Sequence, residues 1–139
     1  MTTNQSLTKV VEKLSTMMGD FEDRALNSDE LADLSLKQIH YLDVIKKLSE
    51  PAFTDLAKEM DVSKPTVTLA VNKLIKQGYV KKEQSQKDRR VYHLLLTEKG
   101  KKLEDIHAKA HKDFASLISS KLNKNELEQL VQILHKVVD

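Results

Sequence analysis

The chain has 139 residues, of which 40% are apolar and 32% charged, with a net charge of +2 and no cysteine. That length can bury one real core, and the absence of cysteine excludes disulfides, thiolate metal sites and thiol catalysis. No basic-then-apolar leader and no long apolar run is present, so neither export nor membrane spanning is expected, and a cytoplasmic location is the default expectation.

Only three glycines and two prolines occur, which with many Leu, Lys and Glu predicts a mainly helical fold. Charge is unevenly spread. Residues 1–35 carry a net −4, residues 36–102 a net +7 and residues 103–139 a net −1. The middle segment therefore carries either a solvated lysine surface or a positive field that suits a polyanion.

Leu7, Val10, Val11, Leu14, Met17, Met18 and Phe21 recur at helical spacing and predict a first helix over about 5–26. An acidic linker begins at Asn27 and Ser28. Ser35 and Gln38 have capping-box spacing, and Ile39, Leu42, Val44, Ile45 and Leu48 define a second helix that Glu50-Pro51 breaks. Thr54 is the expected cap of a short third helix with Leu56, Ala57 and Met60, followed by a turn at Asp61-Val62. Ser63 caps a fourth helix, Pro65 is tolerated in its first turn, and Gly78 is its left-handed stop. Val67, Ala70, Val71, Leu74 and Ile75 form its inner face.

The periodicity then changes. Lys81 to Ser85 and Val91 to Leu96 read as two strands joined by a turn over Gln86 to Arg89. Thr97 caps a fifth helix with Leu103, Ile106, Ala110, Phe114, Leu117 and Ile118. Asn123 and Glu126 cap a sixth, carrying Leu127, Leu130, Val131, Leu134, Val137 and Val138.

Two short helices joined by a turn and followed by a hairpin make a winged helix-turn-helix, in which the second helix of the pair enters the major groove. The outer side of that helix offers Lys64, Thr66, Thr68, Asn72, Lys73 and Lys76, groups that can hydrogen-bond base edges or bind phosphate. Its start at Ser63 and Lys64 presents free N–H groups to phosphate, beside Pro65, which has no N–H of its own. An ordinary polar helix face would look the same, but the hairpin adds Lys81, Lys82, Lys87, Arg89 and Arg90, a basic tip able to reach backbone or minor groove. Asp88 repels phosphate, so its expected role is to pair with a neighbouring arginine.

The runs Phe53-Thr54-Asp55-Leu56-Ala57, Val62-Ser63-Lys64-Pro65-Thr66-Val67-Thr68, Leu74-Ile75-Lys76-Gln77-Gly78-Tyr79-Val80, Lys87-Asp88-Arg89-Arg90 and Leu96-Thr97-Glu98-Lys99-Gly100 resemble the MarR family of transcriptional regulators. The resemblance covers nearly the whole chain. It implies a winged helix-turn-helix lobe over 36–102, dimerisation helices over 1–35 and 103–139, an obligate homodimer, a palindromic double-stranded DNA operator and repression of transcription. Arg90 matches the arginine of the family's Asp-x-Arg wing motif, which implies minor-groove contact. The apolar stripes of the first and sixth helices suit the implied dimer, whose recognition helices would stand about 34 Å apart; an intramolecular helical pair is the alternative.

Five histidines occur, and His107 and His111 are four apart, so one helix face can offer both to a metal. Such a pair is also common as a solvated one. The zinc-sensing branch of the MarR family, which represses zinc uptake, is similar at these places. The resemblance implies a zinc site of Glu22, His40, His107 and His111, with Asp20, Asp23 and Glu104 as rivals for the carboxylate. Neutral imidazoles and one carboxylate suit zinc at about 2.0–2.2 Å. The branch's second metal site is not expected, because its positions correspond to Ser28, Ile39 and Ile106. The commoner family scheme is the other reading: a phenolic or drug-like organic ligand releases the repressor from DNA. No enzyme is expected, since neither a phosphate-cradling glycine loop nor a recognisable Ser/His/Asp set is present.

Overall fold

The structure is a computed structural model and describes residues 1–26 and 34–139. Among these residues it contains helices α1 (Thr3–Leu26), α2 (Leu36–Leu48), α3 (Phe53–Met60), α4 (Lys64–Lys76), α5 (Glu98–Ser120) and α6 (Lys124–Val138), and strands β1 (Val80–Gln84) and β2 (Tyr92–Leu96). The mainly helical class with a two-stranded wing is as expected from the sequence. The acidic linker at Asn27 and Ser28 lies outside the described residues. No helix among the described residues is long and apolar enough to cross a membrane.

Two compact units divide the chain, Met1–Leu26 with Ala108–Asp139, and Asn27–His107. The boundary falls inside α5.

In the unit Asn27–His107, local chemistry sets most element ends. The Ser35 hydroxyl accepts from the Gln38 amide at 3.2 Å while the Gln38 side chain accepts from the Ser35 N–H at 3.0 Å, a reciprocal cap that starts α2. Ser49 and Glu50 both take positive φ and end it before Pro51. The expected cap at Thr54 is replaced. α3 starts two residues earlier, with Ala52 at the cap position, and the Asp55 carboxylate accepts the Ala52 N–H at 2.9 Å. The reason is tertiary: Ala52 bridges to His93 of β2, and the Leu94 N–H donates to the Pro51 carbonyl at 2.8 Å, so the segment before α3 is held as an extra edge on the hairpin. Ser63 caps α4, and Gly78 at φ 87° lets the Tyr79 N–H reach back to the Leu74 carbonyl at 3.0 Å.

β1 and β2 pair antiparallel with Val80 opposite Leu96 and Gln84 opposite Tyr92. The ladder starts at Val80 and Tyr92, so Ser85 and Val91 belong to the turn instead of the strands; the Ser85 N–H still reaches the Val91 carbonyl at 2.8 Å. Alternation along β2 puts Leu94 and Leu96 inside with Val80. The core of this unit joins Ile39, Leu42 and Ile45 of α2, Leu56 of α3, Val67, Val71 and Leu74 of α4, Tyr79, the hairpin leucines and Leu103 of α5. Gly100 is a packing requirement: a Cβ there would overlap the Tyr79 carbonyl. Thr97 explains the close approach, because its N–H and hydroxyl donate to the Tyr79 and Gly78 carbonyls while its hydroxyl accepts the Gly100 N–H, clamping the end of α4 to the start of α5.

The unit formed by Met1–Leu26 and Ala108–Asp139 is different. The Phe21 and Phe114 rings meet at 5.5 Å between centroids, and Ala110 is buried. Asn123 and Glu126 form the expected reciprocal cap of α6. Yet neither α1 nor α6 has a fully buried residue.

Candidate nucleic-acid interface and metal-ligating side chains

Helix α4 buries Val67, Val71 and Leu74, and at 3.6 residues per turn the opposite face is fixed by that stripe. Ser63, Lys64, Pro65, Thr66, Asn72, Lys73 and Lys76 are exposed, and Thr68 is half-buried at the side. The hydroxyls near the start are engaged locally. Ser63 and Thr66 share a hydrogen bond at 2.7 Å, and the Thr68 hydroxyl donates to the Lys64 carbonyl at 2.9 Å. Asn72, Lys73 and Lys76 are the long polar side chains on the outer face. Leu69, which the sequence reading assigned to neither face, is 75% exposed.

The wing tip is built by side chains. The Ser85 hydroxyl accepts the N–H groups of Lys87 and Asp88 at 3.2 and 3.3 Å, and the Gln84 amide donates to the Arg89 carbonyl at 2.8 Å. Asp88 then grips Arg90 in a fork: Nε donates to Oδ1 and Nη2 to Oδ2, each at 3.0 Å, and the Arg90 backbone N–H adds a third bond to Oδ1 at 3.0 Å. The Arg90 side chain hydrogen bonds, reinforced by the backbone one, hold the Asp88 carboxyl below its ordinary range. Asp88 thus points the guanidinium outward from an exposed tip that also carries the exposed Lys87 and Arg89.

Glu22 of α1 and His111 of α5 each offer a ligand atom within 4.8 Å of the other, and His107 stands one turn before His111 on the same helix with a ligand atom within the same distance of it. Glu22 and His107 are half-buried and His111 is exposed. Nitrogen and carboxylate donors are the set a divalent transition metal takes. His40 is exposed on α2 and is not among the side chains so gathered. Of the rival carboxylates, Asp20 and Asp23 are exposed, and Glu104 is buried elsewhere, against Asp43.

That carboxyl pair was not anticipated. Glu104 is 3% exposed, and burial, then the hydrogen bond and charge of Asp43, push its pKa up to about 7. Burial also raises Asp43, but hydrogen bonds from Lys47 and Glu104 and the Lys47 charge outweigh it and leave Asp43 below its ordinary range. Below about pH 7 a proton on Glu104 therefore bridges the two carboxyls. An i, i+3 search along α5 could not have found the pair, because its partner is on α2.

Residues 34–92 match the MarR family profile. FabT of Streptococcus pneumoniae, solved in complex with DNA, is 30% identical with a TM-score of 0.82, over 97% of this chain and 92% of that one. The transcriptional repressor MdtR of Bacillus subtilis is 26% identical over 135 residues, covering 96% of this chain and 86% of its own. YusO of Bacillus subtilis shares the fold, with a TM-score of 0.71 at 23% identity over 99% of this chain and 98% of that one.

Proposed function

This chain belongs to the MarR family of DNA-binding transcriptional regulators and is not an enzyme, and from that premise we propose that it is a repressor that binds a palindromic operator as a homodimer, with its DNA affinity controlled by zinc. The observation that carries the DNA reading is the Asp88–Arg90 fork on an exposed wing beside the outer face of α4. A guanidinium held by its own carboxylate partner reaches a narrow, negative minor groove without being reordered on binding. Ser63, Lys64, Pro65 and Thr66 turn the α4 N-terminus to the phosphates, Asn72 and Lys73 reach base edges, and Lys87 and Arg89 add phosphate contacts. The solved DNA complex of FabT supports the same partner.

The dimer reading rests on the exposed stripes of α1 and α6, which include Leu7, Val10 and Val11, then Ile133, Leu134 and Val137. A second copy covers them. Twofold symmetry then matches a palindrome.

Zinc is supported by the donor set. Glu22 and His111 are already within ligand reach of each other, with His107 on the adjacent turn. His40 supplies the fourth group. Bound zinc supplies a fixed positive centre for neutral imidazoles and a carboxylate; control of DNA affinity requires that the DNA-competent state hold it more tightly.

A second reading keeps the repressor and changes the effector. A cavity of about 390 Å³ in the unit Asn27–His107 has an apolar floor of Ile45, Leu94 and Leu96, with Lys46, Lys81 and Lys101 around it against Glu50 and Asp105, the latter paired with Lys46 at 3.8 Å. An apolar floor with a few polar anchors, Lys81 and Lys101 among them, is suited to a small organic ligand. Fluorescence anisotropy on an enriched operator separates the two. Zinc should tighten wild-type binding about tenfold or more, and the double variant His107→Ala with His111→Ala should lose that response. If zinc and chelator leave the affinity unchanged while a phenolic acid releases the DNA, the effector is organic.

A further inference from the structure

Leu69 occupies the centre of the outer face of α4. It lies opposite the buried Val67, Val71 and Leu74, and its neighbours one turn away are Pro65, Thr66, Asn72 and Lys73, all exposed. A leucine 75% exposed in that ring has nothing to pack against within the lobe. Isolated apolar side chains do occur on surfaces, so its position decides the matter. The hydroxyls of Thr66 and Thr68 are already engaged with Ser63 and the Lys64 carbonyl, which leaves Leu69 between Asn72 and Lys73 as the middle of the reading surface.

We propose that Leu69 is a specificity-determining residue that reads the 5-methyl group of a thymine in each operator half-site. The inference rests on the DNA-binding reading given above. The thymine methyl is the apolar group on the floor of the major groove, and it is matched by an apolar side chain on the entering helix. A protein partner fits the same spot poorly, because a lone leucine among lysines offers no contiguous apolar patch, whereas Lys64, Lys73 and Lys76 suit a polyanion. Asn72 and Lys73 then read the hydrogen-bonding edges of neighbouring bases, and Leu69 adds discrimination that hydrogen bonds cannot supply.

The test uses the full-length protein. Duplexes are enriched from a random pool, and the enriched duplex is resynthesised with each thymine in turn replaced by deoxyuridine, which removes the methyl alone. One position per half-site should weaken wild-type binding by about fourfold, the loss of one buried methyl, and replacing both should cost about fifteenfold. Leu69→Ala should bind the thymine and uracil duplexes equally, and Leu69→Met should keep the discrimination. The proposal is overturned if no deoxyuridine duplex binds more weakly, or if Leu69→Ala keeps the full penalty. Failure to enrich any duplex strikes instead at the DNA-binding reading on which it stands.

Discussion

The two units of the chain solve the burial problem in different ways. The unit Asn27–His107 has its own core, in which α2 alone buries Ile39, Tyr41, Leu42, Val44 and Ile45. The unit formed by both chain ends has two long helices, α1 and α6, without a single fully buried residue, and Val137 and Val138 stand 77% and 74% exposed. A helix stripe as apolar as that of α6 is stable in water only when something covers it. The unit Asn27–His107 is therefore complete in its own packing, and the end helices are unfinished in theirs.

The sharpest way to break this contrast is a charge in the unfinished unit. Leu134→Asp should abolish the dimer in analytical ultracentrifugation and weaken operator binding by about 10²–10⁴-fold, because the second half-site loses its tethered partner, while the lobe's amide dispersion in NMR stays intact. A dimer of wild-type strength would show that α6 is not the covered face.

The second change strikes the finished unit and spares the other. Gly100→Ala drives a methyl into the Tyr79 carbonyl and should destabilise the lobe by about 3 kcal/mol, read as a lower urea midpoint for lobe signals. Unchanged stability would mean that the Thr97 clamp is looser than its hydrogen bonds indicate.

The smallest effect is in the pH dependence of the lobe. Glu104 holds its proton more tightly when folded, up to about 7 against an ordinary 4.5. Its contribution to stability is therefore complete below about pH 4.5 and is lost as pH rises through about 7, an effect on the order of 2 kcal/mol. Asp43 runs the other way in another window, contributing above its ordinary range and losing that contribution as acid brings it through its lowered folded value. Glu104→Gln keeps a donor toward Asp43 and should flatten the slope between pH 4.5 and 7. A slope equal to wild type would remove Glu104 as its source.

Much of the fold was legible because its signals are local. The caps at Ser35, Ser63 and Asn123 and the stop at Gly78 act across three or four residues, so residue type and spacing suffice. The wing was legible for the same reason: Asp88 and Arg90 are two apart and meet within one turn. Thr54 misled because its claim to cap α3 was judged alone, whereas β2 holds Ala52 in place and makes Asp55 the capping side chain. Glu104 read as a possible ligand on a polar helix, and only α2 packing over it turned it into a buried partner of Asp43.

By itself, then, the sequence determined the order of elements, their ends and the basic wing, all consequences of interactions short enough to be carried by neighbouring residues. The tertiary structure decided which side chains lie outside those local rules. It placed Leu69 outward, because Val67, Val71 and Leu74 had taken the inner face of α4, and it brought Glu22 within reach of His111 from the far end of the chain. Exposure and long-range proximity depend on what packs where, and no local pattern contains that information.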